Sequence, residues 1–399
     1  MKITYITTSG HLGGAETSLF EVLASLHEAE PSWRLSLIAP SEGRFVDRVR
    51  GLGVEARVIP FPAALARFGE GVADERGGVL RLPRAAFALA SHARALRREL
   101  ASDAPDVVHA NGFKAHLLGA LARLDGAALV WHVHDYVSGR AWTAEALGRV
   151  SRRVSAIVTN SESVSRDVVA VLRPHASVSV VYNAVDLARF SPQGTRLDLD
   201  AAAGLPPAAP GTVRVGLVAT FGRWKGHEVF LRALARLPRE LPVRAYVIGG
   251  ALYQTERSQV RLDELASLTS TLGIFDRVGF TGFSDDAASA MRGLDIVVHA
   301  SSAPEPFGMV IAEAMACGRA VVASLAGGAA EIVQDGVDAL GHPPGDVEAL
   351  ARRLLTLIAD PDLRVRLGRA ARAAAETRFD RARLARQLAP LYTRVARAA

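Results

Sequence analysis

The feature that most constrains this chain is a repeated alternation of short apolar runs with longer amphipathic stretches. Continuous runs of β-branched residues are typical of strands buried on both faces. Alternation of such strands with helices predicts a parallel sheet covered by helices on both sides. In the first half, the predicted strands are 3–7, 35–39, 58–60, 107–110, 129–133, 156–160 and 178–182, and the predicted helices are 15–27, 45–52, 84–100, 115–124 and 163–172.

The pattern then restarts. Residues 198–212 contain LPPAAPG, which has no periodicity and is typical of a linker. Beyond it, the predicted strands are 213–219, 243–248, 278–281, 296–299 and 320–324, and the predicted helices are 228–237, 262–272, 287–292 and 309–316.

The sequence therefore predicts an α/β protein of two Rossmann-like, doubly wound domains. Two domains fit the length of the chain, 399 residues. We expect an N-terminal domain at 1–190, a linker at 191–212, a C-terminal domain at 213–375 and a terminal helix at 376–399. Because ligands bind outside the carboxyl ends of the strands, two such domains facing each other would place a ligand in the cleft between them.

Composition excludes several classes of protein. With 22% charged and 49% hydrophobic residues, the chain is neither disordered nor collagen-like. Its single cysteine, Cys317, excludes a disulfide framework, and we interpret it as a packing residue. The net charge of +6 fits a phosphorylated ligand or an arginine-rich composition alone. No apolar run reaches about 18 residues and the N-terminus has the pattern of a first strand, so we expect a cytoplasmic protein.

One segment breaks the repeating pattern, and one predicted helix is unusually rich in arginine. Residues 61–83 contain Gly and Pro without a clean period, which predicts a long loop or flap. Residues 81–100 form an arginine-rich amphipathic helix pattern. Such a helix can lie on anionic lipid, but a domain helix with a solvated arginine face explains it better, so peripheral membrane contact is the less favoured alternative.

The densest group of chemically useful residues is APEPFGMVIAEAMACG, at 303–318. It follows a predicted strand and opens a helix near Met309. Amides at a helix N-terminus form an anion site, and Gly308 would let the backbone approach a ligand closely. Glu305 and Glu313 would repel phosphate but accept hydrogen bonds from hydroxyls. A ligand with both groups, a nucleotide-sugar, fits this segment; an ordinary acidic helix start is the alternative.

Three further segments follow predicted strands. ATFGRWKGHEVFL, at 219–231, offers Arg223 and Lys225 to a phosphate, although a solvated basic turn is the alternative. SGHLGGAE, at 9–16, lacks the dinucleotide-binding spacing, and a tight strand–helix turn explains it equally well. WHVHDY, at 131–136, ends a strand with His134 and Asp135. Since Val133 separates His132 from His134, we expect the two imidazoles to point to opposite faces, which argues against a metal site.

Together these segments resemble the retaining glycosyltransferases of family 4, which have the two-domain GT-B fold. The strongest match is the E-x7-E segment from Glu305 to Glu313. Supporting matches run in the family's order along nearly the whole chain: GGAE at 13–16, the HxHD strand end, NAVD at 183–186, KG at 225–226, FTGF at 280–283 and GGAAE at 327–331. The family often places its arginine further ahead of the lysine than Arg223 stands from Lys225.

The resemblance implies a role for each matching residue. Glu305 would contact the donor sugar and Glu313 the ribose, while Arg223 and Lys225 would bind the diphosphate. The implied donor-binding set is Gly13, Gly14, Arg223, Lys225, Gly282, Phe283, Glu305, Phe307, Gly308, Met309, Val310 and Glu313. The implied acceptor-side set is His134, Asp135 and Asn111, and the implied catalytic set is His134, Glu305, Lys225 and Arg223. The helix at 384–395 would cross back onto the first domain.

The implied activity is transfer of a sugar, with retention, from a UDP- or GDP-sugar to an acceptor hydroxyl in the synthesis of a glycan, glycolipid or natural-product glycoside. No cofactor and no metal is expected, because Asp198 and Asp200 form a DxD pair but lie in the linker region and are interpreted as surface residues. An inactive GT-B subunit that binds a nucleotide-sugar is one alternative, and a GT-B enzyme of different chemistry is another. Nucleic-acid binding is not expected, since no basic stripe interleaved with aromatic residues is present.

Overall fold

The computed structural model describes residues 1–62, 82–251 and 259–399. These residues form two units, Met1–Ala184 with Arg381–Ala399, and Val185–Asp380. Residues 191–212, which the sequence suggests as a linker, belong to the second unit. There Leu199 and Asp200 are buried, and the guanidinium of Arg292 donates to the carbonyl of Thr195 at 2.7 Å.

In the first unit, the described residues form a seven-stranded parallel sheet covered by helices on both faces. The sheet order is β3-β2-β1-β4-β5-β6-β7. Its strands are β1 Lys2–Ile6, β2 Arg34–Ala39, β3 Glu55–Val58, β4 Val107–Asn111, β5 Ala128–Val133, β6 Ala156–Thr159 and β7 Ser177–Val180. The helices are α1 Gly14–Ala29, α2 Arg44–Gly51, α3 Leu82–Asp103, α4 Phe113–Leu121, α5 Ala141–Val150 and α6 Glu162–Leu172.

In the second unit, the described residues form a six-stranded parallel sheet of order β10-β9-β8-β11-β12-β13. Its strands are β8 Val213–Val218, β9 Val243–Ile248, β10 Val278–Gly282, β11 Ile296–His299, β12 Ala320–Ser324 and β13 Leu340–His342. The helices are α7 Leu199–Ala202, α8 His227–Ala235, α9 Leu262–Thr271, α10 Ala287–Gly293, α11 Met309–Ala316, α12 Ala329–Ile332, α13 Val347–Ala359 and α14 Pro361–Arg378.

Both sheets have a topological switch point. The chain winds outward from β1 in one direction and then, from β4, in the other, and β8 and β11 repeat this arrangement. Loops that follow the two central strands diverge there, which leaves a crevice at the carboxyl ends. The expected doubly wound α/β fold is thus confirmed, and among the described residues each sheet has its switch point between two central strands.

The last helix, α15 (Ala382–Arg397), packs in the first unit against α1. Its buried side chains include Leu384, Leu388, Leu391, Tyr392 and Val395. Arg383 fixes its start by donating to the carbonyls of Tyr182 and Asn183 at 2.6 and 2.7 Å. The helix therefore completes a core that the first 184 residues leave open on one side.

Some elements differ from expectation. Strand β3 starts earlier than residue 58, and neither α5 nor the three-residue β13 was predicted. The expected loop at 61–83 falls almost entirely outside the described residues. The amphipathic pattern at 81–100 is the helix α3, which buries Leu96 and Leu100 and exposes Phe87. Across the described part of the chain, no helix is long and apolar enough to cross a membrane.

Asp200 is not a surface residue, which corrects the interpretation of the DxD pair. It is 3% exposed. Its Oδ1 accepts from Tyr246 Oη and Arg244 Nη1, both at 2.6 Å, and its Oδ2 accepts from Arg214 Nη2 at 3.2 Å. Burial alone would raise the pKa of Asp200, but these donors hold it well below the ordinary value. Asp198, by contrast, caps α7 by accepting from the amide of Ala201 at 3.0 Å.

We expect Asp200→Asn to lower the free energy of unfolding by about 3 kcal/mol, since removing one partner leaves buried charge uncompensated. Urea denaturation monitored by circular dichroism measures this. Asp198→Asn is the matched control and should be nearly neutral, because Asn caps helices as well as Asp does. The pKa of Asp200 is lowered on folding, so its contribution is present in full above about pH 4 and is lost as the pH falls further. Equal effects of the two substitutions would contradict this assignment.

Candidate active site

Lys225 and Glu305 meet at the switch point of the second sheet. Lys225 ends a short 3₁₀ turn, Arg223–Lys225, in the loop after β8, and Glu305 lies in the loop after β11. The ammonium Nζ of Lys225 contacts Oε1 of Glu305. Two segments that are 80 residues apart in the sequence thus place a cation and a carboxylate in one crevice.

The second oxygen of Glu305 is held by groups that follow β11. Oε2 accepts from Ser301 Oγ at 2.7 Å and lies 3.5 Å from His299 Nε2. Ser324 Oγ donates to the Ser301 carbonyl at 2.7 Å and so fixes that loop to the end of β12. Burial would raise the pKa of Glu305, but His299 and the charge of Lys225 keep it well below its ordinary range. The carboxylate is therefore ionised at neutral pH.

Two close backbone contacts set this geometry. Gly226 has φ of +75°, and a Cβ there would lie 1.8 Å from the carbonyl oxygen of Ala300. A Cβ on Gly328 would lie 2.1 Å from the carbonyl oxygen of Pro306. The amide of Gly328 also donates to the Glu305 carbonyl at 2.7 Å. Glycine at 226 thus lets the Lys225 turn approach the end of β11, and glycine at 328 lets the segment after β12 approach the Glu305 loop.

Gly328→Ala is expected to displace the Glu305 loop and lower the free energy of unfolding by about 1–3 kcal/mol, as overpacking of a close contact usually does. Thermal unfolding measured by circular dichroism tests this. Gly148→Ala is the matched control: it lies in α5, no atom approaches its Cβ position within 4 Å, and Ala favours the helix. A melting temperature of Gly328→Ala at or above that of the parent would show that the contact is not tight.

The N-terminus of α11 adjoins this pair. Gly308 precedes it with φ of +101°. The Phe307 ring is buried, with its centroid 5.9 Å from that of Phe379, so this residue offers only its backbone to a ligand. Met309, Val310 and Glu313 are partly exposed along the helix. Cys317 directly follows α11 and is fully buried, which raises the pKa of its thiol to about 11 and suits a packing role.

The remaining expected donor residues of this unit are Arg223, Gly282 and Phe283. Arg223 is largely exposed, and its Nη2 lies 3.5 Å from Oε2 of Glu264 on α9. Gly282 ends β10 with φ of +72° and accepts a hydrogen bond from the amide of Gly249 at 2.9 Å. Phe283 is 64% exposed. Gly282 and Phe283 therefore mark the end of β10, on the other side of β9 from β8.

In the first unit, the glycine turn after β1 starts α1. Gly13 is the N-cap residue, and a Cβ there would lie 2.9 Å from Oε2 of Glu16. Nothing lies within 4 Å of a Cβ on Gly14. Glu16 is buried and accepts from Thr7 Oγ1 at 3.2 Å, and burial raises its pKa. The GGAE segment thus makes a tight strand–helix turn in which the Glu16 carboxyl group is held by the hydroxyl of Thr7.

Asn111 and His134 meet at the ends of β4 and β5, beside the switch point of this sheet. His134 Nε2 lies 2.6 Å from Asn111 Oδ1, and Asn160 Nδ2 donates to the His134 carbonyl at 3.1 Å. Burial and the nearby His116 hold the pKa of His134 well below its ordinary value, so the ring is neutral. Asp135 instead turns toward solvent, where its Oδ2 accepts from Arg140 Nη2 at 2.8 Å.

The expectation that His132 and His134 point apart was wrong. Their ring centroids lie 4.0 Å apart. Side chains alternate across a strand, so residues two apart share a face, and Val133 is the residue that points the other way. Across residues 1–62, 82–251 and 259–399, no group of three or more His, Cys, Asp or Glu side chains could hold a metal ion.

Sequence reasoning missed His299 and Ser301 around Glu305, and His109 and Asn160 around His134. Each lies at or near the carboxyl end of a strand, and this position is the one sequence signal that could have marked it as a site residue. In contrast to the motif residues, they carry no distinctive spacing, and their contacts arise only when neighbouring strands align in the sheet.

Two family profiles match the chain, one for each unit. The profile for glycosyl transferases group 1 matches residues 208–374. The profile for glycosyltransferase family 4 matches residues 12–189. The first match contains the Lys225–Glu305 site and the second contains Asn111 and His134.

Similar proteins support the same assignment. The chain is 31% identical over 260 residues to a D-inositol 3-phosphate glycosyltransferase of Mycobacterium sp. strain KMS, covering 60% of this chain and 57% of that one. It is 33% identical over 292 residues to the protein of that name in Mycobacterium tuberculosis strain H37Ra, covering 68% and 58%. The chain thus spans less than two thirds of these curated relatives.

The Anabaena protein Alr3699/HepE, solved with UDP-glucose, is 27% identical with a TM-score of 0.79, covering 98% of this chain and 99% of that one. The chain belongs to the group 1, family 4 type of glycosyltransferase, with the GT-B fold.

Proposed function

We propose that this chain transfers a sugar, with retention of anomeric configuration, from a UDP-sugar to an acceptor hydroxyl, without a metal ion. The observation that carries the proposal is the Lys225–Glu305 contact at the switch point of the second sheet, beside the N-terminus of α11. A cation and helix amides stabilise an anion that develops there. The choice of uridine is supported by the Anabaena protein, which was solved with UDP and with UDP-glucose.

In the proposed reaction, the bond between the anomeric carbon and the diphosphate oxygen breaks, and the electron pair leaves with the nucleoside diphosphate. Lys225, assisted by Arg223 and the amides of 307–310, takes up the growing negative charge. Glu305 and Glu313 accept hydrogen bonds from sugar and ribose hydroxyls, and the base lies near Gly282 and Phe283. The acceptor oxygen bonds to the same face of the anomeric carbon, and its proton passes to the departing phosphate.

On the acceptor side, the first unit supplies His134, Asn111 and Asp135, with Gly13 and Gly14 at the turn after β1. His134 is neutral and can exchange hydrogen bonds with hydroxyls. The proposed acceptor bears a free hydroxyl and belongs to a growing glycan, a glycolipid or a natural-product glycoside.

A thermal-shift panel of UDP-, GDP-, dTDP- and ADP-sugars, each with and without EDTA, tests the donor and the metal. A donor at a hundredfold excess over its Kd stabilises the folded state by about 2.7 kcal/mol. We expect the shift with UDP-sugars and no effect of EDTA. Proton NMR of the anomeric centre then follows transfer and its stereochemistry. Binding without transfer to any acceptor would favour an inactive binding subunit, and binding lost in EDTA would contradict metal independence.

A further inference from the structure

A row of buried rings in the first unit connects α15 with His134. The hydroxyl of Tyr392 lies 2.8 Å from Nδ1 of His109 on β4. The His109 ring centroid is 5.2 Å from that of His132, at an interplanar angle of 86°. His132 in turn lies 4.0 Å from His134, centroid to centroid. Each ring therefore packs on the next, from the last helix to the carboxyl end of β5.

The middle of the row contributes packing without hydrogen bonds. His132 is 1% exposed, and within the described residues neither of its ring nitrogens has a hydrogen-bond partner. A buried polar group without a partner destabilises the folded state. An apolar side chain of similar volume would avoid that cost, so replacing His132 need not weaken the fold.

The far end of the row has a defined tautomer. Asn111 Nδ2 points to the carbonyl of Ala15 at 3.4 Å, which turns its Oδ1 toward His134. Because Oδ1 only accepts, Nε2 of the neutral His134 ring carries the proton. Nδ1 is then the ring atom that can accept a hydrogen bond from a hydroxyl.

We propose that His132 is a positioning residue: its ring, held by His109 and Tyr392, fixes the plane of His134 so that Asn111 keeps the Nε2-protonated tautomer and Nδ1 is free for the acceptor hydroxyl. This inference rests on the proposed function for the kinetic part of its test, but not for the spectroscopic part. His132, His109 and Tyr392 contact no substrate in this proposal and act through His134.

Two variants distinguish the effect of the flat His132 ring from the effect of its side-chain volume. His132→Leu removes the flat ring, and His132→Phe keeps it. With ¹⁵N-labelled histidine, the parent should show His134 protonated at Nε2 alone. We expect averaged tautomers in His132→Leu and the parent pattern in His132→Phe. A parent-like His134 spectrum in His132→Leu, or averaged tautomers in both variants, would overturn the proposal.

Transfer kinetics give the second readout. We expect His132→Leu to lower kcat about tenfold or more with the donor KM unchanged, since a displaced catalytic group costs up to about 10²-fold per ångström. Its melting temperature should equal or exceed that of the parent. His132→Phe should keep parent kinetics. A loss of kcat that parallels a loss of stability, or that His132→Phe shares, would mean a structural role. If no transfer is found for the parent, the proposed function fails while the spectrum of His134 still decides this inference.

Discussion

Lys225→Ala is expected to lower kcat for sugar transfer by about 10²–10³-fold, the loss usual when a group that stabilises a developing anion is removed. The chain has only three lysines, Lys2, Lys114 and Lys225, among 47 basic residues. An ammonium is a compact point charge on a flexible stem, whereas guanidinium is a wide planar fork. In the crevice beside buried Glu305, we therefore expect Lys225→Arg to be impaired as well.

The matched control is Arg232→Ala on α8, which also removes one cation. Arg232 is exposed and pairs with Glu228 at 2.7 Å on the same helix, so its loss should leave kcat unchanged. Transfer rates are measured by release of the nucleoside diphosphate at saturating donor. Parent-like turnover in Lys225→Ala would remove this residue from the proposed mechanism.

A double variant separates catalysis from folding at this site. Lys225→Ala removes the cation that contacts the buried carboxylate of Glu305, and breaking a buried ion pair by itself costs about 3–5 kcal/mol of stability. Lys225→Met combined with Glu305→Gln removes both charges and keeps their volumes. We expect it to regain most of the melting temperature and none of the transfer activity. Recovered activity would show that the pair serves the fold alone.

The second large effect is expected at α15. Leu388 is fully buried in the core of the first unit. Leu388→Asp removes its packing, which costs about 2–5 kcal/mol even for alanine, and adds a carboxylate without a partner. Since whole domains are stable by only about 5–15 kcal/mol, we expect the first unit to unfold.

Arg386→Asp is the control, because Arg386 lies on the exposed face of the same helix. It introduces the same residue two positions away and should change the melting temperature little. Near-UV and far-UV circular dichroism with analytical gel filtration compare the two proteins. A folded, monodisperse Leu388→Asp protein would contradict the role of α15 in completing this core.

Much of the fold can be predicted because its signals are local. Buried parallel strands are continuous apolar runs. Their alternation with amphipathic helices predicts one doubly wound sheet before residue 200 and a second one after it. Strand β13 has only three residues, too few for a pattern. Asp200 stands in a Pro- and Ala-rich segment that suggests solvent exposure, yet three donors from the second sheet enclose it.

The candidate site likewise contains residues that motifs predict and contacts that only the fold creates. Glu305 and Lys225 are predictable from motifs, but their contact depends on the order of β8 and β11 in the sheet. His299 and Ser301 act through that contact, so nothing in their spacing marks them. Arg223 fits the motif, but its pairing with Glu264 on α9, at 3.5 Å, joins two segments that no local spacing connects. The pairing of His132 with His134 follows from strand periodicity, because residues two apart on a strand share a face.

The division of the chain at Ala184 and Arg381 also has a consequence for synthesis. The second unit is one continuous segment, but the first is interrupted by it and needs α15 to cover the apolar face of α1. At roughly 5–20 residues per second, a ribosome takes about 10–40 seconds to make the second unit. Throughout that time the first unit emerges without its last helix and with core side chains exposed. The second unit can fold on the ribosome, whereas the first is completed only after α15 has been translated.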